Sequence, residues 1–209
     1  MKITPLILWV KIALLMLAAS IVGQSLVRAQ DLWEFRIGDT PTKLSKLGPV
    51  TGIDKYRGMD VYHWILPDGN PFMATVNPGG EIVYVESDWG GKSEDTGCDL
   101  KGMKFNVTTL KDLEAKFGSE GLGFRGRPHS RETATGYVLL NSWEADKVVV
   151  TFYTAISAKD YAQVRATGDD AGLAEHATLV GISIADATYA KTEWGGRIVG
   201  QAYKKVEWK

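Results

Sequence analysis

Three short runs of β-branched and aromatic residues, separated by tight-turn signals, constrain the fold of this chain more than any other feature. The runs cover residues 59–66, 71–76 and 81–86. A Pro-Asp-Gly turn at 67–69 separates the first two, and Asn-Pro-Gly-Gly at 77–80 separates the last two. Strands joined by such short turns pair with their sequence neighbours. The pattern therefore predicts a three-stranded antiparallel meander.

A short helix is predicted just before this meander. Thr40 is a suitable N-cap, Pro41 fits the first helical position, and Gly48 suits the C-terminal cap. Leu44 and Leu47 are three residues apart, so both lie on one side of such a helix. Because two helical turns are not stable alone in water, we expect this helix to pack on the sheet.

The same order of elements recurs further along the chain. Thr109 and Asp112 have the spacing of a capping box, and Gly118 follows the apolar stripe of this second helix, which consists of Leu110, Leu113 and Phe117. Further predicted elements are strands at residues 136–143, 147–153, 177–184 and 197–203, an inserted helix at residues 157–168, and an acidic loop at residues 169–172. The second unit therefore has the plan of the first, with one insertion.

Two similar segments support this repeat. ESDWGGK at residues 86–92 and KTEWGGR at residues 191–197 share an acid-Trp-Gly-Gly-base pattern, and each follows a strand-like run. We interpret them as matching ends at which Gly-Gly turns the chain away from a sheet edge covered by the tryptophan. A chance match is the alternative. The predicted architecture is a two-layer α+β fold of two tandem helix-plus-antiparallel-meander units, at residues 30–98 and 99–209.

The first 29 residues have the features of a signal peptide. Lys2 and Lys11 belong to its charged region, residues 12–22 are apolar, and Val-Arg-Ala at 27–29 is typical of a signal-peptidase site. Cleavage there predicts an exported protein, periplasmic or secreted. The alternative is an uncleaved inner-membrane anchor, which would place Lys11 within the bilayer at a cost of about 2.5–3.5 kcal/mol.

Charge and cysteine content exclude several classes of protein. The chain has 24 Lys and Arg against 25 Asp and Glu, without a basic cluster suited to a phosphate backbone, so nucleic acid is not an expected partner. Cys98 is the single cysteine, and an intramolecular disulfide is therefore impossible. A membrane is an expected partner only if the leader is retained.

Motifs for catalysis or metal binding are missing from the sequence. His63, His129 and His176 do not have the spacing of a zinc site, and no Gly-x-Ser-x-Gly motif occurs. We therefore predict no catalytic residue, no metal and no cofactor, and the sequence favours a non-enzymatic role. The alternative is a small secreted hydrolase or ligand-binding protein that uses a cleft between the units near His129.

Two groups of side chains are candidates for binding another protein. The first is an arginine cluster that could hold a carboxylate or phosphate, with a solvated loop as the alternative: Arg125, Arg127 and Arg131. The second is a set of aromatic residues on the predicted strands: Tyr62, Trp64 and Trp143. Aromatic residues and arginine contribute strongly at protein interfaces, but these aromatics could equally form the core beneath the helices.

The segment IGDTPTKLSKLG at residues 37–48, followed by a meander and doubled in an exported chain, resembles the β-lactamase inhibitory proteins. It is also similar to the SmpA/OmlA outer-membrane lipoproteins, which carry one such unit. The resemblance implies a sheet surface that grips another protein of the envelope or exterior, as an interaction or inhibitor-like module. The chain departs from both families, because Gln30 replaces the lipidated cysteine and Cys98 has no disulfide partner.

Overall fold

The computed structural model describes residues 31–32, 35–91, 102–168, 170–200 and 203–206. The predicted leader, Cys98 and the boundary between the two predicted units lie outside the described residues. The strands are β1 (Asp31–Leu32), β2 (Phe35–Arg36), β3 (Gly52–Tyr56), β4 (Met59–Ile65), β5 (Pro71–Val76), β6 (Ile82–Asp88), β7 (Leu122–Phe124), β8 (Ser130–Thr133), β9 (Gly136–Ala145), β10 (Val148–Ser157), β11 (Thr178–Asp186) and β12 (Arg197–Val199).

The helices are a 3₁₀ helix (Pro41–Leu47), α1 (Leu110–Phe117), α2 (Ala158–Thr167), α3 (Asp170–His176) and α4 (Ala187–Trp194). A search of the described part of the chain found no helix with the length and apolar character needed to cross a membrane.

One antiparallel sheet of ten strands contains β3 to β12, in the order β12-β7-β9-β10-β11-β6-β5-β4-β3, with β8 paired to β9. The predicted α+β class with an antiparallel sheet is therefore confirmed. The third strands of the two predicted meanders, β6 and β11, pair directly, with Ser183 opposite Glu86. The sheet is continuous across this seam, and the division into two tandem units stays a prediction.

Local signals placed most elements correctly. The Thr109 hydroxyl accepts the Asp112 N–H, the Asp112 carboxylate accepts the Thr109 N–H, and Gly118 ends α1 in the left-handed region at φ 69°. Ser157 caps α2 by accepting the Asp160 N–H. The first predicted helix is present as a 3₁₀ helix, and a strand that the sequence analysis did not predict, β3, precedes the first meander.

Two expectations were wrong. Residues 170–172, expected in a loop, begin α3. The segments around Trp89 and Trp194 are not equivalent, because the first follows β6 and the second ends α4. The reason is Asp186, whose side chain accepts the N–H groups of Thr188 and Tyr189 and so starts a helix directly after β11.

The sheet has two contrasting faces. The side on which Trp143, Phe152 and Ile182 lie, called the core face, packs against the 3₁₀ helix and α1 and contains the largest apolar cluster. The side on which Tyr153 and Ser183 lie is called the polar face. Helix α4 covers part of the polar face through Ala190, Tyr189 and Trp194, which form a smaller cluster with Phe124 and Tyr84.

Candidate functional site

A group of polar side chains meets on the polar face, where β6, β11 and β10 lie side by side. Successive residues of a strand point to opposite faces, so Tyr84, Glu86 and Asp88 share this face of β6. The register places Ser183 opposite Glu86, and Gly181 lies opposite both Asp88 and Tyr153. The pairing of three strands therefore brings together groups that are distant in sequence.

The Glu86 carboxylate is fixed by two tyrosine hydroxyls. Tyr153 Oη donates to Glu86 Oε2 over 2.7 Å, and Tyr84 Oη donates to the same oxygen. Tyr153 Oη also lies 3.1 Å from Ser183 Oγ and 3.1 Å from Tyr84 Oη. Burial, followed by the charge of Glu86, raises the pKa of both tyrosines, so both remain hydrogen-bond donors.

Arg127 supplies positive charge to this network from the segment between β7 and β8. Its guanidinium donates to Tyr153 Oη and, over 3.5 Å, to Thr151 Oγ1. The same group lies 4.2 Å from the centroid of the Trp194 ring and 5.3 Å from that of Tyr153. Stacking and hydrogen bonds together hold the guanidinium in one orientation, so a positive charge faces the Glu86 side of the network.

Asp88 is a protonated acid beside the ionised Glu86. Burial raises the pKa of Asp88 to about 8, and the charge of Glu86 and a hydrogen bond between the two carboxyl groups act in the same direction. Arg131 lowers this pKa by a smaller amount. Near neutral pH the pair therefore shares one proton, as closely spaced carboxyl groups do. Gly181 makes the arrangement possible, because a Cβ there would collide with Asp88 Oδ1.

The two carboxyl groups form part of an open depression of about 190 Å³, called the carboxyl pocket. Its other lining residues include Thr51, His63, Ile65, Pro71 and Met73. Ile65 is 56% exposed, so this wall is a solvent-facing apolar surface. At the rim, His63 Nε2 lies 3.0 Å from Asp54 Oδ2. The pocket therefore combines aliphatic walls with an acidic floor.

The structure places the two predicted tryptophans in the core, although Trp64 also contributes to the lining of this pocket. Trp64 and Trp143 are 2% and 0% exposed, and their indole N–H groups donate to Gly48 O and Ser119 Oγ. Tyr62 is half-buried, and its ring stacks on Trp64 at 6.0 Å. Of the two alternatives left open by the sequence, both tryptophans fit the core, and they offer no surface to a partner.

The three predicted arginines have different positions. Arg127 is half-buried in the network, and Arg131 is exposed but acts electrostatically on Asp88. Arg125 is exposed and lies on the Gly196 side, where its N–H donates to Gly196 O over 2.8 Å. Arg127 and Arg131 therefore act on Glu86 and Asp88, and the three arginines do not form a single anion-binding site.

Five residues of the site were not predicted as site residues from the sequence: Tyr84, Glu86, Asp88, Tyr153 and Ser183. A signal was present, because Tyr84 and Glu86 alternate with Val83 and Val85 in β6. Among the residues that the structure describes, no three His, Cys, Asp or Glu side chains are grouped in a way that could hold a metal ion.

Comparisons with known proteins add little to this description. No protein-family model matches the chain, and no curated protein matches it. The chain is similar to one solved structure, an extracellular protein containing a SCP domain from Bacillus anthracis, with a TM-score of 0.47 and 13% sequence identity. The match covers 86% of this chain and 54% of that one, so the chain spans about half the length of that protein. We assign no family from a similarity of this size.

Proposed function

We propose that this protein is exported and binds another protein by receiving one of its basic side chains in the carboxyl pocket. The observation that carries the proposal is the Glu86–Asp88 pair, two hydrogen-bonded carboxyl groups that line an open depression. The resemblance to the β-lactamase inhibitory proteins implies the same class of function on a sheet surface. The leader expected at residues 1–29 supports export.

The balance of charge favours a cationic ligand. Glu86 has a nearby counter-charge in Arg127, whereas the exposed Arg131 has only a small effect on Asp88, which is neutral because it retains a proton. A lysine or arginine side chain could replace that proton and make charge-assisted hydrogen bonds to a partly buried carboxylate. Such bonds are about twice as strong as neutral ones.

The walls of the pocket suit the stem of a basic side chain. Lysine and arginine bury their methylene groups on apolar surface while the charged end contacts a polar group. Pro71, Met73 and Ile65 provide that surface next to the two carboxyl groups. The volume of about 190 Å³ equals that of about six water molecules, which is enough for one such side chain but not for a folded segment.

The test is titration of ¹⁵N-labelled protein with butylammonium and butylguanidinium, which reproduce the two side chains, and with neutral butanol as the matched probe. We expect both cations to shift the amide resonances of Met73, Ser87 and Asp88, and butanol to leave them in place. Affinity should rise with pH up to about 8, because the cation competes with the proton on Asp88.

Two variants complete the test. Asp88→Asn keeps the shape of the side chain but removes its charge, and should lower cation affinity by about tenfold or more. Asp146→Asn removes an exposed carboxylate at the turn between β9 and β10, outside the carboxyl pocket, and serves as the matched control, with affinity unchanged. Equal shifts from butanol and butylammonium, or full cation binding by the Asp88 variant, would contradict the proposal.

A further inference from the structure

A second depression, larger than the carboxyl pocket, lies where α1, α2 and α3 approach β9. It has a volume of about 640 Å³ and is called the β9 groove. This is the region near His129 in which the sequence analysis placed its alternative function, and His129 and Ser130 form part of the lining. Small-molecule sites in proteins commonly have volumes of about 300–1,000 Å³.

The lining of the β9 groove combines apolar and polar side chains. Its apolar lining residues come from four elements and include Leu110, Leu139, Tyr161, Leu173 and Ala174. They belong to one cluster, in which the Tyr137 and Tyr161 rings lie 4.0 Å apart. Tyr161 and Leu173 are only partly buried, so the cluster remains open to solvent on the groove side.

Two carboxylates face this apolar surface without a counter-charge. Glu114 is one helical turn after Leu110, on the same side of α1, and is half-buried. Burial raises the pKa of Glu114, and the charge of Glu120 raises it further. Within the described ranges, neither side chain forms an ion pair or hydrogen bond, whereas Lys111 of α1 is paired with Glu175 at 2.6 Å.

We propose that the β9 groove binds an amphiphilic primary amine, with its ammonium group at Glu114 and Glu120 and its apolar body against Leu139, Tyr161 and Leu173. Charge complementarity selects the ligand, because a half-buried carboxylate without a partner favours a cation over a neutral or anionic head group. The apolar walls favour a ligand with an extended hydrocarbon part over a simple ammonium ion. The inference is independent of the carboxyl pocket, since the two sites share no lining residue.

The test compares four probes by ¹⁵N NMR titration of the full protein: octylammonium, octanoate, octanol and butylammonium. We expect octylammonium to shift the amide resonances of Glu114, Asn141 and Leu173 and to bind about tenfold or more tightly than the other three probes. Equal binding of octanoate or octanol would show that only apolar surface is recognised, and would overturn the proposal. Equal binding of butylammonium would show that only charge is recognised, as for a partner's lysine side chain, and would also overturn it.

Matched variants locate the site. Glu114→Gln should reduce octylammonium affinity by about tenfold, and Leu173→Ala should reduce it by a smaller factor while leaving the weak binding of butylammonium unchanged. Glu132→Gln, the same substitution at an exposed position of β8, should have no effect. Circular dichroism establishes that each variant is folded.

Asp88→Asn separates this proposal from the proposed function. It should lower cation affinity in the carboxyl pocket by about tenfold or more and leave binding in the β9 groove unchanged, so either site can fail without the other. Full octylammonium affinity in a folded Glu114→Gln variant would overturn the inference.

Discussion

The side chains of β10 are equally buried on both faces of the sheet, but they pack in two different ways. On the core face, Val150 and Phe152 are fully buried against Trp143 and are held by apolar contact alone. On the polar face, Thr151 is also 0% exposed, yet its hydroxyl lies 2.8 Å from Ser142 Oγ and accepts a hydrogen bond from Arg127. The difference shows that burial alone does not identify the core. The core face stabilises the fold through apolar contacts, and the polar face does so through hydrogen bonds that also position Glu86 and Asp88.

The largest expected effect is on the core face. Trp143→Ala should reduce the free energy of unfolding by about 3–5 kcal/mol, because it removes a fully buried indole in contact with Phe117 and Phe152. Urea unfolding followed by circular dichroism measures this change. A loss below about 1 kcal/mol would show that Trp143 is not part of a close-packed core.

The next effect belongs to Asp88 and depends on pH. The pKa of Asp88 is raised from 3.8 to about 8 in the folded protein, so the folded state binds more protons than the unfolded state between these values. Stability should therefore fall as pH rises through this window, by up to about 1.4 kcal/mol per pH unit from this group. Asp88→Asn should remove that component, and the difference between variant and parent in urea unfolding at several pH values measures it. A difference that does not change with pH would refute the shared proton.

A smaller effect is expected for Tyr153, whose hydroxyl contacts Glu86, Ser183, Tyr84 and Arg127. Tyr153→Phe should cost about 2 kcal/mol, since it leaves a partly buried carboxylate with one donor fewer. Tyr161→Phe, in which the hydroxyl has no hydrogen bond within the described chain, is the control and should change stability by less than about 0.5 kcal/mol. A change below about 0.5 kcal/mol for Tyr153→Phe as well would show that the polar network contributes no stability.

The smallest effect compares two threonines of β10. Thr154 points to the core face, and its buried hydroxyl has no hydrogen-bond partner in the described part of the chain. Thr154→Val should therefore raise the free energy of unfolding by about 1 kcal/mol, whereas Thr151→Val should lower it by about 1–2 kcal/mol. The opposite signs are the result to check, by chemical denaturation under one set of conditions. The same sign for both would remove the distinction between the two faces.

Much of the fold could be predicted from sequence because its signals are local. The turns of the first meander and the Thr109–Asp112 capping box depend on residues a few positions apart. The β6–β11 seam joins residues about 100 positions apart, and no local signal specifies it. Helix α4 was missed because the acid-Trp-Gly-Gly-base match was interpreted as the end of a strand, although Asp186 is a good N-cap residue.

The candidate site was predictable only in part. The alternation of Tyr84, Glu86 and Asp88 is visible in the sequence, and the arginine cluster was identified. The contact between Arg127 and Tyr153 could not be predicted, because it depends on the order of the strands in the sheet, in which β9 lies between β7 and β10. Trp64 and Trp143 were candidates for binding but are buried in the core. An alternating strand pattern does not show which face of the sheet is covered.

The most direct test of the central claim is carboxyl ¹³C NMR of Asp88 across a range of pH, with and without butylguanidinium. We expect the Asp88 carboxyl group of the free protein to titrate at about pH 8, and its titration to move to lower pH as the cation binds, because the cation replaces the proton. Titration of Asp88 near its ordinary pKa of about 3.9, or a midpoint that the cation leaves unchanged, would contradict it.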